Sequence, residues 1–129
     1  MGIAVLKVLR SDEAPTGFSM RLERLERPRR PEATRTPRSG GASVLHLAGE
    51  LDIVWAERVR AAIGALAGEG LVVDVSGLRF IDATGVGAVV AGERAAAKSG
   101  HRLVVRGASG IVRRVFEVSG LASLLEPAT

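Results

Sequence analysis

A chain of 129 residues holds one modest core and is too short for two ordinary domains. It contains no cysteine, which excludes disulfides and thiolate metal sites, and its two histidines, His46 and His101, lie too far apart in sequence to suggest a histidine metal site. The net charge of +4 sits in one place: residues 1–43 carry nine Lys or Arg against five acids, and the rest of the chain is balanced. An arginine-rich arm suits RNA or anionic lipid; a solvated linker accounts for it more simply. No apolar run is long enough to span a membrane, and "MGIAVLKVLR" is too short and too charged to read as a secretory signal.

Along the chain, "IAVLKVL" reads either as an edge strand or as a docked apolar segment, within an N-terminal extension of residues 1–17. "FSMRLERLE", 18–26, alternates Phe18, Met20 and Leu22 with polar residues, the period of a half-buried strand. Residues 27–42 hold three prolines, two glycines and five arginines, and predict a flexible loop. "SVLHLAG" is a second strand, with Leu45 and Leu47 on one face and His46 on the other.

In "ELDIVWAERVRAAIGALAGEG", Trp55, Val59, Ala62, Ile63 and Leu66 recur at helical spacing, with Asp52 or Glu50 as cap and Gly68 to Gly70 as stop. "LVVDVSG" is a strand, and "LRFID" leads to a hinge, "DATGVG". A small-residue helix is expected from Gly85 to Lys98, its Gly87 and Gly92 marking close packing, with the sheet as the default neighbour. "RLVVRG" is a further strand. "SGIVRRVFEVSGL" predicts a last helix capped by Ser109, with Ile111, Val112, Val115 and Phe116 inward and Arg113 and Arg114 outward; residues 127–129 form a tail. Strands alternating with helices predict an α/β fold with a parallel or mixed sheet.

The hinge concentrates the polar chemistry. "GVGAVV" falls short of a dinucleotide fingerprint, because Val90 stands where the third glycine belongs, and no Gly-Lys-Ser/Thr exists for a P-loop. Thr84 as a nucleophile needs a base in reach, and neither histidine lies on a segment that delivers one. The plain structural reading is that Asp82 or Thr84 caps the helix while Gly85 lets the backbone turn tightly.

"VLHLAGELDIVWAERV", "LVVDVSGLRFIDATGVGAVV" and "GHRLVVRGASGIVRRVFEVSGLASLL" resemble three consecutive signatures of the STAS domain, nearest to the bacterial anti-sigma factor antagonists, over about residues 18–126. The resemblance implies a mixed, largely parallel sheet with helices mainly on one face and no catalytic activity; no cofactor is expected, and the missing cysteines and separated histidines give a metal site no support. It implies a cytoplasmic partner-switching protein whose partner is an anti-sigma factor serine/threonine kinase, with a phosphatase acting on Thr84 as a further candidate, and neither direct DNA binding nor membrane insertion. Carried over residue by residue, the phosphorylated hydroxyl is Thr84, and the partner-binding set is Asp52, Trp55, Asp82, Ala83, Thr84, Gly85, Val86 and Gly87. Three positions depart from the family: the acceptor is often serine, Ala83 replaces a commonly polar neighbour, and Trp55 stands where a small hydroxyl residue is usual. Trp55 is open to two readings, contact anchor or core packing. The alternative function is a STAS subunit of a membrane transporter or signalling assembly that contacts a partner ATPase.

Overall fold

A computed structural model describes residues 3–7, 17–26, 42–66 and 70–126, with backbone alone at 3–7, 25, 26 and 42. Most of the predicted loop, the helix stop at Gly68 and the C-terminal tail lie outside the described residues; Ala42, assigned above to the loop, opens a strand.

The strands are β1 (Ile3–Lys7), β2 (Ser19–Glu26), β3 (Ala42–Leu51), β4 (Leu71–Ile81) and β5 (Leu103–Arg106), and the helices are α1 (Ile53–Leu66), α2 (Ala83–Lys98) and α3 (Gly110–Val118). The sheet order follows the chain, β1-β2-β3-β4-β5. β1–β2 and β2–β3 pair antiparallel, β3–β4 and β4–β5 parallel. Parallel neighbours need a crossover, and α1 and α2 supply the two. The apolar reading of "IAVLKVL" resolves as an edge strand, with Ile3 opposite Glu26 and Lys7 opposite Leu22.

One apolar core joins the sheet to all three helices. Leu45, Val73 and Val105 lie side by side on adjacent strands and are fully buried, as are Val59 and Ile63 of α1, Val89 of α2 and Phe116 of α3. Each such side chain contributes about 1.5–3 kcal/mol on burial. In α3, Val112 and Phe116 point inward as expected, whereas Ile111 is 57% exposed. Ser109 holds the N-cap position of α3 by backbone only, its carbonyl accepting from Arg113 N–H, with no side-chain cap bond.

β4 runs four residues beyond "LVVDVSG", through "LRFI" to Ile81. Between the pairs His46–Asp74 and Ala48–Gly77, β3 contributes one residue and β4 two; a second such irregularity lies at Arg79, between Leu78 and Phe80. These bulges shift the phase of β4, so its buried residues on the core side are Leu71, Val73, Val75, then Leu78 and Ile81. The alternation therefore breaks at Gly77, the last residue of "LVVDVSG".

Asp74, His46 and Glu23 form a polar ladder across three strands, with Arg106 of β5 as the fourth member. His46 Nε2 lies 2.9 Å from Glu23 Oε1 and Nδ1 lies 3.7 Å from Asp74 Oδ2. Arg106 donates to Asp74 Oδ2 from Nη2 at 2.8 Å and Nε at 3.1 Å, and the Ser76 hydroxyl donates to Oδ1 at 2.6 Å. Burial raises the Asp74 pKa, but the Ser76 hydroxyl and N–H and the Arg106 guanidinium outweigh it, and the carboxyl is held below its ordinary value of 3.8. A depressed carboxylate pKa stabilises the fold above the unfolded value and loses that contribution as pH falls through the folded one. In urea unfolding, the parent is expected to lose stability below about pH 5. Asp74→Asn is expected to be about 1–2 kcal/mol less stable than the parent at pH 7, with the gap narrowing toward pH 3. A gap that stays constant with pH would show that the charge of Asp74 contributes nothing.

Candidate functional site

Leu51 and Ile81 are paired at the ends of the parallel strands β3 and β4, so the two helices that follow begin next to one another. Each start is capped by an aspartate. Asp52 Oδ1 accepts from Val54 N–H at 3.0 Å in α1. Asp82, the N-cap of α2, accepts at Oδ1 from Thr84 N–H at 2.9 Å and Gly85 N–H at 3.1 Å. "GELD" and "DATG", far apart in sequence, thus become one surface at the carboxyl ends of parallel strands, where sites in such sheets are commonly found.

The Thr84 hydroxyl donates to that same Asp82 Oδ1, at 2.5 Å. Partial burial raises the Asp82 pKa, but the Thr84 hydroxyl and the N–H groups of Gly85, Thr84 and Ile53 outweigh it, and the carboxyl is held below its ordinary value. At neutral pH Asp82 is ionised, with the hydroxyl proton already pointed at it. Thr84 is exposed, as are Ala83 and Gly87, while Asp52 and Asp82 are half-buried.

The remaining members of the predicted set point inward. Val86 is buried. Trp55 is 4% exposed and stacks on Phe18 at 5.3 Å between ring centroids, with the Arg58 guanidinium 5.0 Å from its ring; this is the core-packing alternative. Gly85 does not serve a tight turn, since it is an ordinary helical residue. Its requirement is steric: a Cβ there would lie 2.8 Å from both Ile81 Cγ1 and Leu51 Cγ. Gly49 of "GELD" is the position that needs left-handed backbone, with φ +94° and a would-be Cβ 1.7 Å from Gly17 O.

Three apolar residues near the hinge escaped the sequence reading. Ile53 is 71% exposed and Val54 63%, both in the first turn of α1, and Phe80 is 43% exposed at the end of β4. A signal existed: Ile53 and Val54 lie off the inward stripe set by Trp55 and Val59, so they are apolar residues with no core to enter. Among the described residues no cluster of His, Asp and Glu could hold a metal ion, and no helix is long and apolar enough to cross a membrane.

A mixed α/β sheet with paired helix caps and an exposed hydroxyl where β4 feeds α2 defines a STAS-type domain. Residues 34–126 match the family profile described as Mlab, STAS domain. The chain is 36% identical over 90 residues to the anti-sigma F factor antagonist of Lysinibacillus sphaericus, covering 67% of this chain and 77% of that protein. It superimposes on the anti-sigma factor antagonist SpoIIAA in its unphosphorylated form with a TM-score of 0.62 and 32% identity, over 68% of this chain and 80% of that one. The Bacillus cell fate determinant SpoIIAA in its phosphorylated form matches with a TM-score of 0.56 and 31% identity, over 73% and 86%. The chain belongs to the STAS family of anti-sigma factor antagonists.

Proposed function

We propose that this chain is a phosphorylation-switched antagonist that binds an anti-sigma factor kinase and thereby releases a sigma factor. The observation that carries the reading is the exposed Thr84 hydroxyl donating to an ionised Asp82 at the start of α2. Thr84 Oγ1 attacks the γ-phosphorus of ATP held by the partner, the bond to the ADP oxygen breaks, and the hydroxyl proton passes to Asp82 and on to solvent. The helix N-terminus favours the product's negative charge, so the domain tolerates it. The partner loses affinity because about −1.5 to −2 charges now stand on the docking surface. That surface comprises Asp52, Ala83, Thr84 and Gly87 with the exposed Ile53, Val54 and Phe80 around them.

In this reading the chain is a cytoplasmic regulator with no chemistry of its own, and a phosphatase resets Thr84. A related SpoIIAA known in both forms supports it. The test is incubation with the anti-sigma kinase and ATP, followed by site mapping by mass spectrometry. One phosphate on Thr84 is expected. Phosphate on Ser76, which shares the D-x-[ST]-G pattern in "DVSG", with Thr84 unmodified, overturns the proposal. Binding to a transporter ATPase and to no anti-sigma kinase would point instead to the transporter-subunit alternative.

A further inference from the structure

A cleft of about 480 Å³ runs along α2 from the acceptor turn. Its floor is one stripe of that helix, Ala83, Gly87 and Ala91 with Val86 and Val90 beside them, and its rim includes Arg60 of α1, Arg94 at the far end of the stripe, and Leu121 just after α3. Both arginines are exposed, and neither guanidinium meets a carboxylate among the described residues. The contrast with Arg106 and Arg113 is direct, since these hold Asp74 and Glu117. Among the described residues, two cations with no carboxylate partner thus rim one small cleft and make it a positive site.

The cleft is open at Gly87: a Cβ there would meet nothing within 4 Å among the described residues, whereas Gly92 is held to glycine from inside by Ile63.

We propose that this cleft receives an acidic segment of the kinase partner, a carboxylate flanked by small or apolar side chains, with Arg60 and Arg94 as its counter-charges. The assignment rests on the proposed function and names the chemistry of its partner.

The test uses the full chain and calorimetric titration with the anti-sigma kinase that phosphorylates Thr84. Arg60→Glu combined with Arg94→Glu is expected to weaken binding at least thirtyfold, and the neutral Arg60→Gln/Arg94→Gln pair about tenfold. Arg60→Lys/Arg94→Lys, which keeps the charge, is expected to stay within about fivefold. The parent's affinity should fall as salt is raised, and that dependence should flatten in the Glu pair. Thermal unfolding of each variant should match the parent, because both side chains are exposed; should the Glu pair unfold early, the Gln pair decides. Parent binding with Glu and Gln pairs both within twofold of it overturns the acidic-partner assignment alone. A parent that binds no anti-sigma kinase overturns the proposed function, and this assignment with it.

Discussion

Thr84→Glu is expected to bind the anti-sigma kinase at least tenfold more weakly than the parent while melting within about 3 °C of it. Two effects on stability nearly cancel. The variant loses a hydroxyl donated to Asp82, an exposed bond worth about 1 kcal/mol. It gains a carboxylate in the first turn of α2, where the helix dipole contributes about 0.3–1 kcal/mol in its favour. A residual of a few tenths of a kcal/mol moves the melting temperature of a domain this size by only a few degrees. Binding has no such compensation, because the added charge faces a partner surface that must meet it desolvated, and about 1.4 kcal/mol is already tenfold. Thr84→Ala is the control: it should bind as the parent does and become insensitive to ATP. Calorimetric titration and thermal unfolding decide the matter together. If Thr84→Glu binds like the parent, charge at this turn is not the switch. If it melts many degrees early, phosphorylation acts by refolding, and Asp82–Thr84 is a structural latch.

Gly92→Ala is expected to destabilise the fold by about 1–3 kcal/mol net, lowering the melting temperature by roughly 5–10 °C. The new Cβ would lie 2.0 Å from Ile63 Cγ2, 3.1 Å from Ile63 Cβ and 3.2 Å from Leu103 Cδ1. Ile63 is fully buried and β-branched, so it cannot swing aside, and α1 must lift from α2. Alanine's better helix propensity returns about 1 kcal/mol and does not offset the clash. Gly87→Ala supplies the matched comparison on the same helix: nothing lies within 4 Å of its would-be Cβ, so stability should rise by up to about 1 kcal/mol. A double-mutant cycle with Ile63→Ala locates the cause, since the Gly92→Ala penalty should shrink when the opposing side chain is removed. Equal effects at Gly87 and Gly92 would show that helix propensity, not packing between α1 and α2, sets the cost.

Periodicity and local chemistry determined much of this protein without tertiary information. Period two at Phe18–Leu22 and at Leu45–Leu47, period 3.6 at Trp55–Leu66, and small residues after Asp82 place the strands and helices, because burial on one face imposes those spacings. "GELD" and "DATG" carry the resemblance to the family, because a cap and a hydroxyl at a helix start are local arrangements that a short motif can encode. What depends on chains meeting in space was decided by the fold. The sequence could not show that β4 carries two bulges, because a phase shift in one strand is defined only against its neighbour. The sheet is the neighbour expected for Gly92, and Leu103 of β5 does approach its would-be Cβ at 3.2 Å, but the closest approach, 2.0 Å, is from Ile63 of α1, which the sequence does not identify. The sequence leaves Trp55 open between core and interface; stacking on Phe18, just ahead of β2, puts the indole inside. The union of two helix starts through the Leu51–Ile81 pair, and a cleft rimmed by Arg60 and Arg94, arise only when α1 and α2 are brought side by side by consecutive crossovers between the parallel strands of one mixed sheet.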